Sequence, residues 1–205
     1  MLYPTGEHVH YATLNSRDRN YLLEAGATSD HCHRVSNPVT IEDSTAEGEA
    51  PPEQQGLYLY PARAIRRKNV GEVLLWAALA RDAQRFAVTR APLNPSARHV
   101  YDGWVDFSRS MELPVEFEVE GSSHTSLRGL LQSASAAITT SVAEGFGMCF
   151  MEPWLAGRPV VGRNLPVITR DFRRTGLDLC HLYDRLDVPL EWVGKSDLEQ
   201  KLREE

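Results

Sequence analysis

Short apolar runs alternate with stretches of helical periodicity through most of this chain. Strands are predicted at 57–62, 85–89, 115–119, 136–140, 159–162 and 180–183. Helices are predicted between them at 69–81, 97–111, 125–133, 147–156 and 168–175. A last helix over 196–203 opens with Ser196 and Glu199 in the spacing of a capping box. This alternation is the order of an α/β domain with a doubly wound, mostly parallel, Rossmann-like sheet. No internal repeat interrupts it.

The first quarter of the chain reads differently. One amphipathic stretch, 17–25, is closed by Gly26 as a helix stop, and it is too short to build a core alone. It is followed by NPVTIEDSTAEGEAPPEQQ, which is rich in Glu, Pro, Ser and Thr and nearly empty of large apolar residues. That composition predicts a flexible linker or exposed loop over 37–55. The chain therefore divides into 1–55 and a folded unit at 56–205.

Composition narrows the class. With 205 residues, 42% hydrophobic and 24% charged, the chain suits one soluble globular domain and a shorter appended segment. No apolar run approaches the roughly 20 residues of a membrane span, and no basic start with an apolar stretch marks a secretory signal. A cytoplasmic location is the expectation, with peripheral membrane attachment as an alternative. The formal charge of -6 argues against general nucleic-acid binding. Cys32, Cys149 and Cys180 are widely spaced and odd in number, which suits free thiols. His8, His10, His31, Cys32 and His33 have no distant partner pair at zinc spacing, so no metal is expected.

In doubly wound sheets ligands sit beyond the carboxyl ends of the strands, so the loops there carry the chemistry. The first, PARAIRRKN, gathers Arg63, Arg66, Arg67 and Lys68 just ahead of a predicted helix near Asn69. Cations beside a helix N-terminus make an anion site, because backbone amides and the helix dipole add to the side-chain charge. A solvated basic turn is the competing reading. The second loop begins SVAEGFGMCFMEPWLAGRPVV and follows the apolar run AAITT. Glu144 at the strand end and Glu152 some two turns into the next helix can face one cleft, where carboxylates accept hydrogen bonds from sugar hydroxyls. A helix-capping Glu with a surface Glu is the plainer alternative. Arg163, after the next strand, is a second anion contact or an ordinary surface arginine. The four tryptophans read as packing residues.

The stretch EGFGMCFMEPWLAGRPVV resembles the Glu-x7-Glu signature of family 4 of the retaining glycosyltransferases, which have the two-domain GT-B fold. RAIRRKN resembles that family's Arg-x4-Lys-Asn phosphate loop, in the same order and separation, and NSRDRNYLLEAG and SNPV are similar to the end of its acceptor domain and the approach to its donor domain. The likeness runs from about Tyr11 to the end. It implies that 1–55 is a remnant of the acceptor domain with a linker, and that 56–205 is the nucleotide-sugar-binding domain. By the same likeness Arg63 and Lys68 hold the donor diphosphate, Glu144 meets hydroxyls of the transferred hexose and Glu152 meets the ribose. Backbone amides of Phe146, Gly147 and Met148 face the sugar and phosphate, and the base lies near 119–122. No cofactor or metal is implied. The donor is of UDP, GDP or ADP type.

The family's N-terminal glycine-rich loop and sugar-contacting histidine have no counterpart in residues 1–50. The expectation is a truncated piece, a half that assembles with a missing domain or second chain, or a degenerate remnant, weak in transfer alone. A nucleotide-sugar-binding or regulatory module without turnover is the alternative. A dinucleotide-dependent oxidoreductase is disfavoured by the absence of GxGxxG with a downstream acid, and a phosphorylase by the absence of a pyridoxal lysine context. His124 reads as a capping or surface residue before a donor contact.

Overall fold

In the computed structural model, residues 3–4, 6–40, 52–122 and 126–204 are described. Most of the expected linker, 41–51, and His124 lie outside them. In chain order the elements of the main unit are β3 (Gln54–Arg63), α2 (Val70–Ala78), β4 (Arg85–Arg90), α3 (Pro95–Ser110), β5 (Val115–Phe117), α4 (Val119–Ser122), α5 (Leu127–Ser133), β6 (Ala134–Thr139), α6 (Met148–Leu155), β7 (Val160–Arg163), α7 (Pro166–Arg174), β8 (Leu182–Tyr183), α8 (Leu190–Val193) and α9 (Lys195–Glu204). Ahead of them stand β1 (Tyr11–Thr13), α1 (Ser16–Glu24) and β2 (Cys32–Arg34).

The six strands of the main sheet run in the order β5-β4-β3-β6-β7-β8, and every pairing is parallel. The chain moves outward from β3 to β4 and β5, then returns to place β6 on the other side of β3. That reversal opens a crevice between the loops after β3 and β6. All six predicted strands are present; β5 stops at Phe117 because Glu118 adopts a left-handed φ of 61° and α4 begins. Helix α9 starts at Lys195, so Ser196 lies inside the first turn and does not precede it.

Alternation along β3 explains the layers. Leu57 and Leu59 pack with Ala87, Leu131, Ala134 and Ala137 beneath α5. Tyr60 and Ala62 point the other way, into a cluster with Val70, Val73, Val88 and Tyr101 from α2, β4 and α3. A third cluster joins Phe146, Phe150, Val160, Ile168 and Phe172, packing α6 and α7 on β7. Local signals start the helices: Asn94 accepts the Ser96 N–H with Pro95 at the first turn of α3, and Ser126 accepts the Gly129 N–H at the start of α5. No helix among the described residues is long and apolar enough to cross a membrane.

The segment before the linker packs on the same body. β1 and β2 form a parallel pair, which no periodicity in three-residue strands announces. Asn15 caps α1 by accepting the Asp18 N–H at 2.8 Å. Gly26, with φ 98°, closes the helix as expected by donating to the Leu23 carbonyl at 3.0 Å. The Ser16 amide and hydroxyl then donate to the Asp171 carboxylate of α7 at 2.7 and 2.8 Å. Burial disfavours ionising Asp171, but those two bonds and the nearby Arg34 more than offset it and hold the carboxyl below its ordinary range.

Candidate functional site

The loop after β3 forms the basic wall of the crevice. Arg66 to Lys68 make a short 3₁₀ turn, Asn69 follows with a left-handed φ of 50°, and α2 begins at Val70. The Lys68 carbonyl accepts bonds from the Tyr60 hydroxyl at 2.8 Å and the Thr140 hydroxyl at 3.0 Å. The Val142 amide donates to the Arg67 carbonyl at 2.9 Å. These bonds lock the β3 loop to the β6 loop, so the cations of one sit against the carboxylate of the other.

Glu144 is buried and ion-pairs with Lys68 through one oxygen and with Arg67 through the other at 2.8 Å. Burial opposes its ionisation, yet the hydrogen bond and charge of Lys68, with help from the Ser141 hydroxyl and Arg67, hold its carboxyl below the ordinary 4.5. The neighbouring Cys149 thiol donates weakly to Glu144 at 3.6 Å, and burial pushes that thiol up to about 12, so it is no thiolate nucleophile.

Glu152 is the fifth residue of α6, a little over one turn in rather than two, because the helix starts at Met148. It lies within electrostatic range of Lys68 and Arg90. Burial raises its carboxyl above the ordinary 4.5 despite attraction from Lys68 and Arg90, and Glu120 raises it further. Glu152 makes no hydrogen bond or ion pair among the described residues. Arg90, at the carboxyl end of β4, pairs with Glu120 of α4. Sequence reasoning passed over Arg90, although a cation directly after an apolar strand was the available signal.

Between the two acids lies the Gly-Phe-Gly turn. Gly147 has φ 98° and ψ 43°, and a Cβ there would meet the Ile168 Cγ2 at 2.8 Å and the Phe150 ring at 3.0 Å. No side chain caps α6. Among the described residues the amides of Phe146, Gly147 and Met148 donate to no protein acceptor, which leaves a group of free donors at a helix N-terminus. The Phe146 side chain itself turns into the core, edge-on to Phe172 at 5.5 Å.

Two residues of the N-terminal segment brace this turn, and sequence reasoning did not select either. Asn15 donates to the Gly145 carbonyl at 2.8 Å, and Arg17 donates to the Glu144 carbonyl at 3.4 Å. Arg63 stands at the end of β3 with its guanidinium on the Ala91 carbonyl at 2.9 Å, and among the described residues it makes no bond to Glu144.

Other expectations change. Arg163 is neither a free anion contact nor a plain surface residue: it pairs with Glu72, which is itself buried and also accepts from Asn69 at 2.7 Å. The tryptophans do not all pack, since Trp154 and Trp192 are 53% and 71% exposed. Trp154 lies about 200° around α6 from Glu152, away from the crevice. His10 is 2.9 Å from His33, on whose ring it stacks, and its ring centroid is 4.5 Å from that of His31, but among the described residues no group of three or more His, Cys, Asp or Glu is placed to hold a metal ion.

No protein-family model matches the chain. The mannosylglucosyl-3-phosphoglycerate synthase of Petrotoga mobilis is 25% identical over 222 aligned positions, covering all of this chain and 43% of its own length. Among solved structures, the pneumococcal O-GlcNAc transferase GtfA in complex with UDP and GlcNAc superposes with a TM-score of 0.60 at 16% identity, over 95% of this chain and 39% of that one. S. aureus TarM in a complex containing UDP gives 0.60 at 17% identity, over 80% and 31%. Anabaena HepE in complex with UDP and glucose gives 0.56 at 14%, over 74% and 43%. The chain thus spans less than half the length of each of these relatives. What it shares with the solved structures is the fold, the α/β Rossmann-like arrangement of a GT-B glycosyltransferase domain.

Proposed function

We propose that this chain is the donor-binding half of a retaining glycosyltransferase that transfers a hexose from a nucleotide-diphosphate sugar to an acceptor hydroxyl. The observation that carries the reading is Glu144, beyond the end of β6, held by Lys68 and Arg67 from the loop after β3, with Glu152 of the next helix in electrostatic range of Lys68. A diphosphate fits the cations and the amides of Phe146, Gly147 and Met148, and sugar hydroxyls fit the acids. Residues 1–55 would be a remnant of the acceptor domain of such an enzyme with a linker, and 56–205 the donor domain.

In this reading Arg63 and Lys68 hold the diphosphate, and Glu144, freed from Lys68 as the phosphate takes its place, receives hydroxyls of the hexose. Glu152 receives the ribose hydroxyls. The bond from the anomeric carbon to the diphosphate breaks with its electrons on the leaving group, and the acceptor oxygen bonds to that carbon while its proton passes to the departing diphosphate. Negative charge gathers on the departing diphosphate, where fixed cations and helix-terminal amides stabilise the transition state more than the ground state. No divalent metal is required for that role.

Calorimetric titration with UDP, GDP and ADP, with and without magnesium, tests the reading on wild type, Lys68→Ala and Glu152→Ala. Metal-independent binding that is selective for one base and weakened by both substitutions is expected. A folded wild-type protein that binds none of the three would sink it.

A further inference from the structure

A second cavity, of about 390 Å³, lies beneath α2 and shares no residue with the crevice. Its walls are two aromatic pairs. Tyr58 stacks on Phe86 with ring centroids 5.3 Å apart and planes at 20°, and Trp76 lies 5.7 Å from Tyr183. Ile138 of β6 and Val161 of β7, both part of the core packing under α2, line it from the sheet. The volume falls in the range of small-molecule sites, about 300–1,000 Å³, and the lining is of their kind: apolar and aromatic with a few polar groups.

One of those polar groups, Arg81, carries a fixed positive charge. Arg81 and His181 stand at the edge, exposed, and no Asp or Glu lines the cavity. The Arg81 guanidinium has no hydrogen bond or ion pair among the described residues. Asp178 lies within electrostatic range of His181 but outside the lining. Gln84 is already engaged, accepting the Arg81 N–H at 2.8 Å and donating to the Tyr58 hydroxyl at 3.3 Å. The wall is therefore fixed, while the cation at its edge is available.

We propose that this cavity binds a planar aromatic anion, its ring between the two aromatic pairs and its charge on Arg81. Ring faces stack on ring faces, and a carboxylate or sulfonate meets the guanidinium fork, a match of shape and charge that neither a neutral sugar nor a cation offers.

The probe is 8-anilinonaphthalene-1-sulfonate, titrated by fluorescence into the full chain at neutral pH. Saturable binding at one site is expected. It should be abolished by Val161→Trp, which fills the cavity, and weakened at least tenfold by Arg81→Glu, a surface change that leaves the core intact. Phe107→Ser, on the exposed apolar side of α3, should leave it unchanged. Circular dichroism reports folding, and if Val161→Trp does not fold, Arg81→Glu decides. Absence of one-site binding, binding indifferent to Arg81→Glu, or binding lost with Phe107→Ser overturns the proposal.

Discussion

Lys68 and Glu144 form an ion pair across the crevice with side chains only 12% and 6% exposed, joining the loop after β3 to the loop after β6. The pair sets the charge balance of the site and ties its two halves together.

Removing Lys68 should therefore weaken both binding and stability. Glu144 would keep Arg67, which is 46% exposed and so a poorer partner. Lys68→Ala should cost about 2 kcal/mol, since a buried carboxylate loses its best donor. Urea unfolding of Lys68→Ala, Glu144→Gln and the double variant checks this. The double variant should lose less than the sum of the singles, because the second change removes the stranded charge. Strict additivity would mean the pair is not coupled in solution.

The two acids give opposite pH signatures. Glu144 has a folded value below its ordinary 4.5, so its contribution is complete above 4.5 and is lost as pH falls through the folded value. Glu152 is raised, so its contribution is present below 4.5 and is lost as pH rises through the folded value. Once ionised, Glu152 works against the fold. Glu152→Gln should stabilise the unliganded chain by up to about 1 kcal/mol at neutral pH and lose that advantage in acid. Glu144→Gln should instead flatten the fall in stability below about pH 5. Urea midpoints across the acid range separate the two, and a Glu152→Gln variant less stable than wild type at neutral pH would contradict the assignment.

Gly147 is a position where any side chain is costly. Its φ of 98° is strained for other residues, and a Cβ would press on Ile168, Phe150 and Phe172. Gly147→Ala should lose about 1–3 kcal/mol and turn the free amides away from the crevice. Thermal unfolding reads the first effect and UDP titration the second. Gly145→Ala meets nothing within 4 Å and serves as the control.

Much of this was legible in the residues. Strand and helix order followed from apolar periodicity, and the position of the basic turn and of Glu144 in loops after strands is readable too, although the ion pair between them is not. The failures are tertiary. Arg163 could not be assigned because its partner, Glu72, sits 91 positions earlier and reads as a surface residue of α2. That Arg67 and Lys68 are the cations reaching Glu144 is set by the 3₁₀ turn over Arg66–Lys68, and four cations in one loop do not reveal that rotation. The docking of α1 on α7 depends on a contact 155 positions apart, made by one short polar residue on each side.

That docking carries the last prediction. The bonds from Ser16 to Asp171 and from Asn15 to Gly145 fasten α1 to the body and to the Gly-Phe-Gly turn at once. Leu14 and Val39 add partial packing against the cluster of Phe146 and Phe172. With so few buried apolar contacts, the segment should open locally before the sheet unfolds. Asp171→Ala leaves the Ser16 amide and hydroxyl without their acceptor and leaves Arg34 without its ion pair. Limited proteolysis should then cut within 11–36 at least tenfold faster, while the sheet keeps its melting temperature to within a few degrees. Because Asn15 and Arg17 brace the turn that carries the free amides, the same variant should bind UDP more weakly although no substituted atom lies in the crevice. Asp171→Glu, which keeps the charge but shifts the acceptor, should fall between the two. Cleavage at the wild-type rate in Asp171→Ala would show that packing of Leu14 and Val39, not the serine–aspartate bonds, holds the segment down.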